Sequence, residues 1–338
     1  MRAHLLEEEG QLRCVWSTCF AAAGALTAID DGWEVEEDDG GVARAVRCPE
    51  ERVMAIGCLQ DGDGGQNLLV AAASSSGFVR CWRLDFGAPR VEASSHLAVA
   101  SGGKFIQRLS RTAALCAECF RIAGLPAILI GCADGSVAAC GLDPLLRSCE
   151  ADDSSKQTVW LEAQLHDAGI NDLALKTEGL SNGTLLLAAA GDDHRLSLSV
   201  LAFENGSDTG LRMWLQGSRR FDGAHTSSVR ALQWAGPELL SLGLDRRLRV
   251  WELLPVQRED ADASAVESEA SPRETEGQCP GLREKAVLLS SCTEPEVLAV
   301  AHVRDVDSET QDFWALVLAG RGVEICSRHR DSGASSSA

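Results

Sequence analysis

Residues 223–251 read GAHTSSVRALQWAGPELLSLGLDRRLRVW, and this stretch decides the fold. His225 stands near its start and is followed by Val229, Ala231 and Leu232. Then comes the run Leu239-Leu240-Ser241-Leu242-Gly243-Leu244-Asp245, and after it Leu248, Val250 and Trp251. The second half reads as a strand, a tight turn at Asp245 and a returning strand that alternates apolar and polar residues. Counted from Asp245, apolar residues fall at the third and fifth positions and Trp at the sixth.

The same offsets recur along the chain. Asp193 is followed by Leu196 and Leu198, after the strand Leu185–Gly191 and the upstream residues His166, Ile170 and Leu173. Asp134 is followed by Val137 and Ala139, Ser76 by Val79 and Cys81, and Gly320 by Val323 and Ile325. A weaker first copy has Leu26-Thr27-Ala28, a turn at Asp30, then Trp33 and Val35. Self-similar strand-turn-strand units of about 40–45 residues predict a β-propeller, an all-β fold of four-stranded blades. Units are expected near 1–45, 46–90, 104–145, 158–205, 219–256 and 284–328. The excess length between units is loop. The largest excess holds Glu259 to Glu276, rich in Ser, Ala, Asp and Glu, so 257–283 is expected to be a disordered acidic insertion. The tail 331–338 is expected to be disordered too. Sheet edges cannot be left open without exposing unpaired strands. Six copies therefore imply six to seven blades, with a degenerate blade within the first 60 residues or a Met1 that is an internal start of a longer or shortened protein.

Composition bounds the function. The chain has 338 residues, 45% of them apolar and 24% charged, enough for a sizeable core. Its net charge of −19 argues against a protein whose main task is to hold phosphate backbones. No apolar run approaches the roughly 20 residues a membrane-spanning helix needs. Thirteen Cys lie scattered without a framework, which reads as reduced thiols of an intracellular protein filling strands. Cys116-Ala117-Glu118-Cys119 is the one CxxC, and no second pair is placed to complete a zinc site. Ser101-Gly102-Gly103-Lys104 falls short of a phosphate-binding loop. Metal and cofactor are therefore expected to be absent. The Trp residues 82, 214, 234, 251 and 314 fall in or beside strands and are expected mostly in the blade core.

These units resemble the WD repeat. In that family the turn Asp, a loop His, a strand hydroxyl and a strand Trp form one hydrogen-bonded network within a blade. The resemblance assigns those roles to Asp245, His225, Ser241 and Trp251, with His166 and Asp193 repeating the pair one blade earlier and no Trp to finish it. A catalytic Ser-His-Asp set is the competing reading, but the repeat already accounts for the same residues at the same spacing. Two departures stand in the copy from Gly223 to Trp251: Ala224 separates Gly223 from His225, and Glu252 follows Trp251.

Over 165–253 the likeness narrows. His166-Asp167-Ala168-Gly169-Ile170-Asn171, the turn Gly191-Asp192-Asp193, Ala224-His225 and Asp245-Arg246-Arg247-Leu248-Arg249-Val250-Trp251 resemble the C-terminal propeller of the family of WD repeat-containing protein six, although Ala190 replaces a usual Gly. That resemblance implies a cytoplasmic, non-catalytic adaptor that binds the catalytic subunit of a tRNA ribose 2′-O-methyltransferase. It implies contact with tRNA through the complex and support for methylation of the wobble nucleotide at position 34. The competing function is a WD-repeat scaffold with an unrelated protein client. Arg246 and Arg247, just past the turn Asp, form a candidate interaction rim; the plainer reading is a solvated charge pair facing Asp222 or Glu252.

Overall fold

The computed structural model describes residues 2–8, 11–17, 35–37, 43–45, 52–61, 67–85, 98–102, 107–142, 159–177, 183–206, 210–256, 279–304 and 312–329. All regular structure among them is β. Within each unit the second strand is apolar almost throughout, as in Leu68–Ala73, Ala127–Gly131, Leu185–Gly191 and Leu239–Gly243, and these residues are buried. A strand buried on both faces needs sheets stacked on both sides of it. Stacked, radially arranged sheets are what the chain builds.

Five blades are present among the described residues, each an antiparallel sheet of consecutive strands. The first comprises Val53–Asp61, Asn67–Ser74, Phe78–Asp85 and Ala98–Gly102, with Gln107–Arg108 also pairing the third strand. The second comprises Ala114–Ile122, Leu125–Cys132, Ser136–Gly141 and Leu161–Gln164. The third comprises Ile170–Lys176, Thr184–Gly191, Leu196–Gly206 and Gly210–Phe221, and the fourth Val229–Ala235, Glu238–Gly243, Arg247–Leu254 and Gly281–Leu289. The fifth has two strands, Thr293–Arg304 and Asp312–His329. Each blade's first strand lies against the first strand of the next, so the first strands form the inner wall. Each first strand also carries an irregularity in register near its start, at Val53/Ala55, Ala114/Cys116, Ile170/Asp172, Val229/Ala231 and Thr293/Val297. A bulge there bends the strand and sharpens the local twist.

Among the described residues the expected six to seven blades are therefore corrected to five. The first unit contributes two hairpins, Arg2–Glu8 with Gln11–Ser17 and Val35–Glu37 with Ala43–Ala45, that do not join into one sheet. Arg2–Glu8 comes beside Thr293–Arg304. The anchor Asp30 and Trp33 of that copy lie outside the described residues. The strand-turn-strand expected around Gly320 is one strand, bent at Gly322, where φ is +121°. Cys279 to Arg283, inside the expected insertion, are described: the Cys279 side chain is buried, its thiol donates to the Leu198 carbonyl at 3.0 Å, and Gly281 opens a strand. The rest of that insertion and the tail lie outside the described residues.

The sequence units are staggered from the blades. The outer strand Leu161–Gln164 opens the fourth sequence unit but pairs Ser136–Gly141 of the second blade. Gly210–Phe221 and Gly281–Leu289 likewise complete the blade before the loop that leads into the next one. Cores therefore form between blades: Val137, Ala139, Ile170, Leu173, Leu187 and Leu201 share one cluster, and Leu196, Leu198, Val229, Leu232 and Trp251 share the next. Trp251 is buried as expected, but Trp214, on the outermost strand of the third blade, is exposed. Trp234 is half-buried, its indole N–H donating to the Ala174 carbonyl at 3.1 Å, with Lys176 stacked over its ring. The side chains of Trp82 and Trp314 lie outside the described ones. Among the described residues no helix is long and apolar enough to cross a membrane.

Candidate functional site

The turn between second and third strands meets the loop that enters the blade after it. The backbone N–H of Ser110 donates to the Gly77 carbonyl, that of His166 to Gly135, that of His225 to His194 and that of Ser290 to Arg246, at 2.8–3.3 Å. Loops and turns therefore share one end of the blades. Each turn residue that accepts this bond has positive φ: Gly77 at 76°, Gly135 at 85°, His194 at 65° and Arg246 at 58°. Glycine takes that conformation freely; an L side chain pays for it in crowding against its own carbonyl.

Behind the fourth-blade turn, the structure brings His225, Asp245, Ser241 and Trp251 together. His225 Nδ1 lies 3.0 Å from an Asp245 carboxylate oxygen, and its Nε2 lies 2.8 Å from Ser241 Oγ. The Trp251 indole N–H donates to the same Oγ at 2.8 Å. An indole nitrogen only donates, so Ser241 accepts from Trp251 and gives its one proton to His225 Nε2. His225 is then the neutral tautomer with its proton on Nδ1, donated to Asp245. Burial lowers the His225 pKa, Asp245 opposes that, and Arg249 and Arg247 add to the lowering. Burial raises the Asp245 pKa, but hydrogen bonds from His225, Thr226 and Arg247 outweigh it and leave the carboxylate below its ordinary value.

The bonds run in the order of a hydrolytic triad, but the access does not. Ser241 and His225 are buried and the serine's acceptor side is taken by Trp251. A nucleophile needs an open approach to a reacting carbon. This arrangement instead ties the entering loop, the turn and two strands of one blade together.

The third blade repeats the pair with a different hydroxyl. His166 Nδ1 lies 2.9 Å from both Asp193 carboxylate oxygens, and Nε2 lies 2.9 Å from Ser197 Oγ. Ser197 is on the third strand, not the second. The second-strand position that Ser241 fills in the fourth blade is Ala189 here, and Ala189 pairs Ser197 across the sheet. In the fourth blade the matching pair is Ser241 and Arg249. The hydroxyl has therefore crossed one strand to reach the same point in space. Sequence offsets missed Ser197 because they look for the hydroxyl before the turn.

Blades without His keep part of the scheme. Ser110 and Thr112 take the loop position of the second blade, with their hydroxyls 3.1 Å apart, and Asp134 holds the Ser136 N–H and hydroxyl. In the fifth blade a residue that sequence reading passed over plays the turn-Asp part. Glu324 accepts from the Ser290 hydroxyl at 2.7 Å, the Ser291 N–H at 2.8 Å and the Ser291 hydroxyl at 3.2 Å. Those bonds, the Ser290 hydroxyl first, hold its carboxyl below the ordinary value. Asp193 and Asp245 receive the loop residue and the following N–H in the same way.

Arg246 is exposed on this end and Arg247 is half-buried. Neither takes the expected partners: Asp222 pairs Arg195 at 2.7 Å, and Glu252 pairs Arg283. Asp167 also pairs Arg195 and Arg220, so the charges beside His194 are cross-linked. Cys116 and Cys119 face different neighbours, one close to Gly131 and Ile170 and the other close to Gly57, which keeps the CxxC from forming one chelate. Among the described residues no group of three or more His, Cys, Asp or Glu is placed to hold a metal ion.

Compared with known proteins, the chain matches no protein-family profile and no curated protein. Among solved structures it is similar to a chain of ctPRC2 in a complex with two forms of H3, at 12% identity and a TM-score of 0.38, over 80% of this chain and 66% of that one. The chain thus spans slightly less than two thirds of that neighbour's length. The stacked antiparallel sheets described above make this chain a β-propeller.

Proposed function

We propose that this chain is a non-catalytic adaptor that binds the catalytic subunit of a tRNA ribose 2′-O-methyltransferase in the cytoplasm and supports methylation of the wobble nucleotide at position 34. The observation that carries this reading is the stretch 165–253. It combines His166-Asp167-Ala168-Gly169-Ile170-Asn171 and the Asp192-Asp193 turn with the Ala224-His225 opening and the Asp245 to Trp251 strand, on two adjoining blades. A propeller with WD-repeat-like blades is compatible with a protein-interaction scaffold. Holding an enzyme and a large substrate in register turns a poor encounter into a positioned one. The methyl donor, S-adenosylmethionine, is bound by the enzyme in this reading. Exposed Arg246 and half-buried Arg247, just past the turn Asp245, are the rim residues through which the complex meets tRNA or enzyme.

The test is ribose methylation at tRNA position 34 in cells lacking this protein, with the intact gene restored as the control. Loss of the methyl group and its recovery on restoration support the adaptor. An unchanged level rejects it and leaves a scaffold whose client is another protein.

A further inference from the structure

The residue after the loop position meets the turn carboxylate in three blades. It is Asp167 in the third blade, Thr226 in the fourth and Ser291 in the fifth. In each, the backbone N–H donates to the turn carboxylate, Asp193, Asp245 or Glu324, at 2.8–3.2 Å. In the third blade this slot carries a negative charge, and arginines of the rim receive it: Asp167 pairs Arg195 and Arg220. In the fifth blade the slot holds a hydroxyl. Ser291 is exposed in the bend between Gly281–Leu289 and Thr293–Arg304, and its Oγ donates to Glu324 at 3.2 Å. Glu294 and Glu296, both exposed, follow it at the third and fifth positions.

An exposed serine outside a strand ladder, with carboxylates three and five residues onward, suits a protein kinase that reads acidic residues downstream of its target. The two neighbouring hydroxyls do not meet those conditions. Ser290 is buried, its Oγ donating to Glu324 at 2.7 Å. Thr293 is fixed in the ladder opposite Arg321, its hydroxyl donating to the Arg321 carbonyl at 3.1 Å. We infer that Ser291 is a phosphorylation site for an acidophilic Ser/Thr kinase, and that its phosphate leaves Glu324 and pairs with Arg246. In the transfer the Ser291 hydroxyl oxygen attacks the γ-phosphorus of ATP. The new O–P bond replaces the bond to the β,γ-bridging oxygen, ADP departs with that electron pair, and the hydroxyl proton passes to a base of the kinase.

The direction of the move follows from charge. A phosphoserine carries about −1.5 to −2 charge at pH 7, and its Oγ no longer donates. Beside Glu324, whose carboxyl is held below its ordinary value by hydrogen bonds, that of Ser290 foremost, it meets a like charge. The position two residues past the turn carboxylate, filled by Arg195 in the third blade, is Cys326 here. Arg321 of the same blade is engaged by Glu294 at 2.9 Å. Arg246 stands across the turn: its carbonyl accepts the Ser290 N–H at 2.8 Å, and its side chain is exposed. Arginine–phosphate pairs are short, strong and often bidentate. Phosphorylation thereby occupies one of the two rim arginines. That consequence for binding rests on the adaptor reading; the site and the pairing do not.

The test treats the purified full-length chain with an acidophilic Ser/Thr kinase and MgATP, and maps the tryptic peptide 286–304 by tandem mass spectrometry. The expected result is one phosphate in that peptide, on Ser291, lost in Ser291→Ala. An unmodified peptide, or phosphate on Ser290 or Thr293 instead, overturns the site. The phosphoserine signal, assigned by its loss in Ser291→Ala, is then followed by phosphorus magnetic resonance through the second phosphate ionisation, near about pH 6. A guanidinium beside the phosphate favours the dianion, so the midpoint should rise in Arg246→Gln and stay in place in Arg321→Gln. An equal midpoint with and without Arg246, or a rise in Arg321→Gln alone, overturns the pairing. Neither readout involves tRNA or a methyltransferase. An unchanged methyl level at position 34 therefore rejects the adaptor reading and leaves both results standing.

Discussion

At the residue scale, the two buried His–Asp pairs make distinct predictions. Ser241 serves two partners and Ser197 one. Ser241→Ala leaves His225 Nε2 and the Trp251 N–H without a partner, each at a cost of about 1–3 kcal/mol. Ser197→Ala strands His166 Nε2 alone. Urea unfolding should therefore show a larger loss for Ser241→Ala, and equal losses would reject the assignment of the hydrogens. The pH dependence has a definite sign. His225 has a folded pKa below its ordinary 6.5, so the unfolded chain binds the proton more readily. Its stabilising contribution is full above about pH 6.5 and is lost as pH falls below that value. Asp245 and Asp193 have pKa values below 3.8, so their contribution is full above that value and is lost as pH falls through the lower folded values. Unfolding free energy should thus decline from pH 7 to pH 5.5, and His225→Gln should flatten that slope while lowering stability overall. An unchanged slope in the variant would show that His225 is not buried as the neutral base. The pairing of His225 with Asp245 was legible through the resemblance to the WD repeat, which both residues match in type and offset. The crossing of the hydroxyl to Ser197 was not, because it depends on which residues face each other across two strands.

At the element scale, the turn slot that follows each anchor carries the main strain. Four equivalent positions have positive φ, and two of them, His194 and Arg246, are not glycine. A left-handed conformation costs an L residue about 1–2 kcal/mol. Arg246→Gly relieves that cost and loses about 0.5–1 kcal/mol through the greater freedom of the unfolded chain. The net effect should be a stabilisation of about 0.5–1 kcal/mol, seen as a rise of the thermal midpoint. Gly135→Ala should act in the opposite sense. There the backbone is already at φ +85° and a Cβ would meet the His166 carbonyl oxygen at 2.1 Å. A fall in midpoint for Arg246→Gly would mean that the arginine side chain makes a stabilising contact that exceeds its strain. Strands and turns of the second to fourth blades were readable because alternation and the anchor offsets agree there. The bend at Gly322 was placed two residues early, because in that copy the residue nearest to Asp in function, Glu324, acts from beyond the turn.

At the scale of the whole molecule, stability is spread unevenly. The second to fourth blades are each packed between two others, and Leu129, Leu187 and Leu240 on their second strands are at most 1% exposed. Among the described residues the fifth blade has one blade beside it, and Val323 and Ile325 on its other face are exposed. Regions with few buried apolar contacts open at lower free energy than the core. Backbone amides of 298–301 and 315–320 should therefore exchange with solvent deuterium well before those of 127–131 and 185–190, as followed by mass spectrometry. Equal protection in the two regions would mean that the last blade is covered in solution by the chain itself. Among the described residues the six to seven blades expected from the copies are five, and the described strands of the first copy pair as two separate hairpins.

The sequence by itself determined the class of fold and the positions of most strands, and its resemblance to the WD repeat implied the pairing of His225 with Asp245 and of His166 with Asp193. Those properties depend on short-range alternation and on intervals that recur, and both survive in a single chain without any knowledge of what lies opposite. Only the tertiary structure decided which strand gives each hydroxyl, that Glu324 stands in for an aspartate, and which arginines are paired at the rim. It alone showed that Val323 and Ile325, identical in offset to buried residues of four other blades, face solvent. Burial is a property of what packs against a residue, and in a propeller that neighbour comes from the blade beyond, some 60 positions away where the inner strands meet.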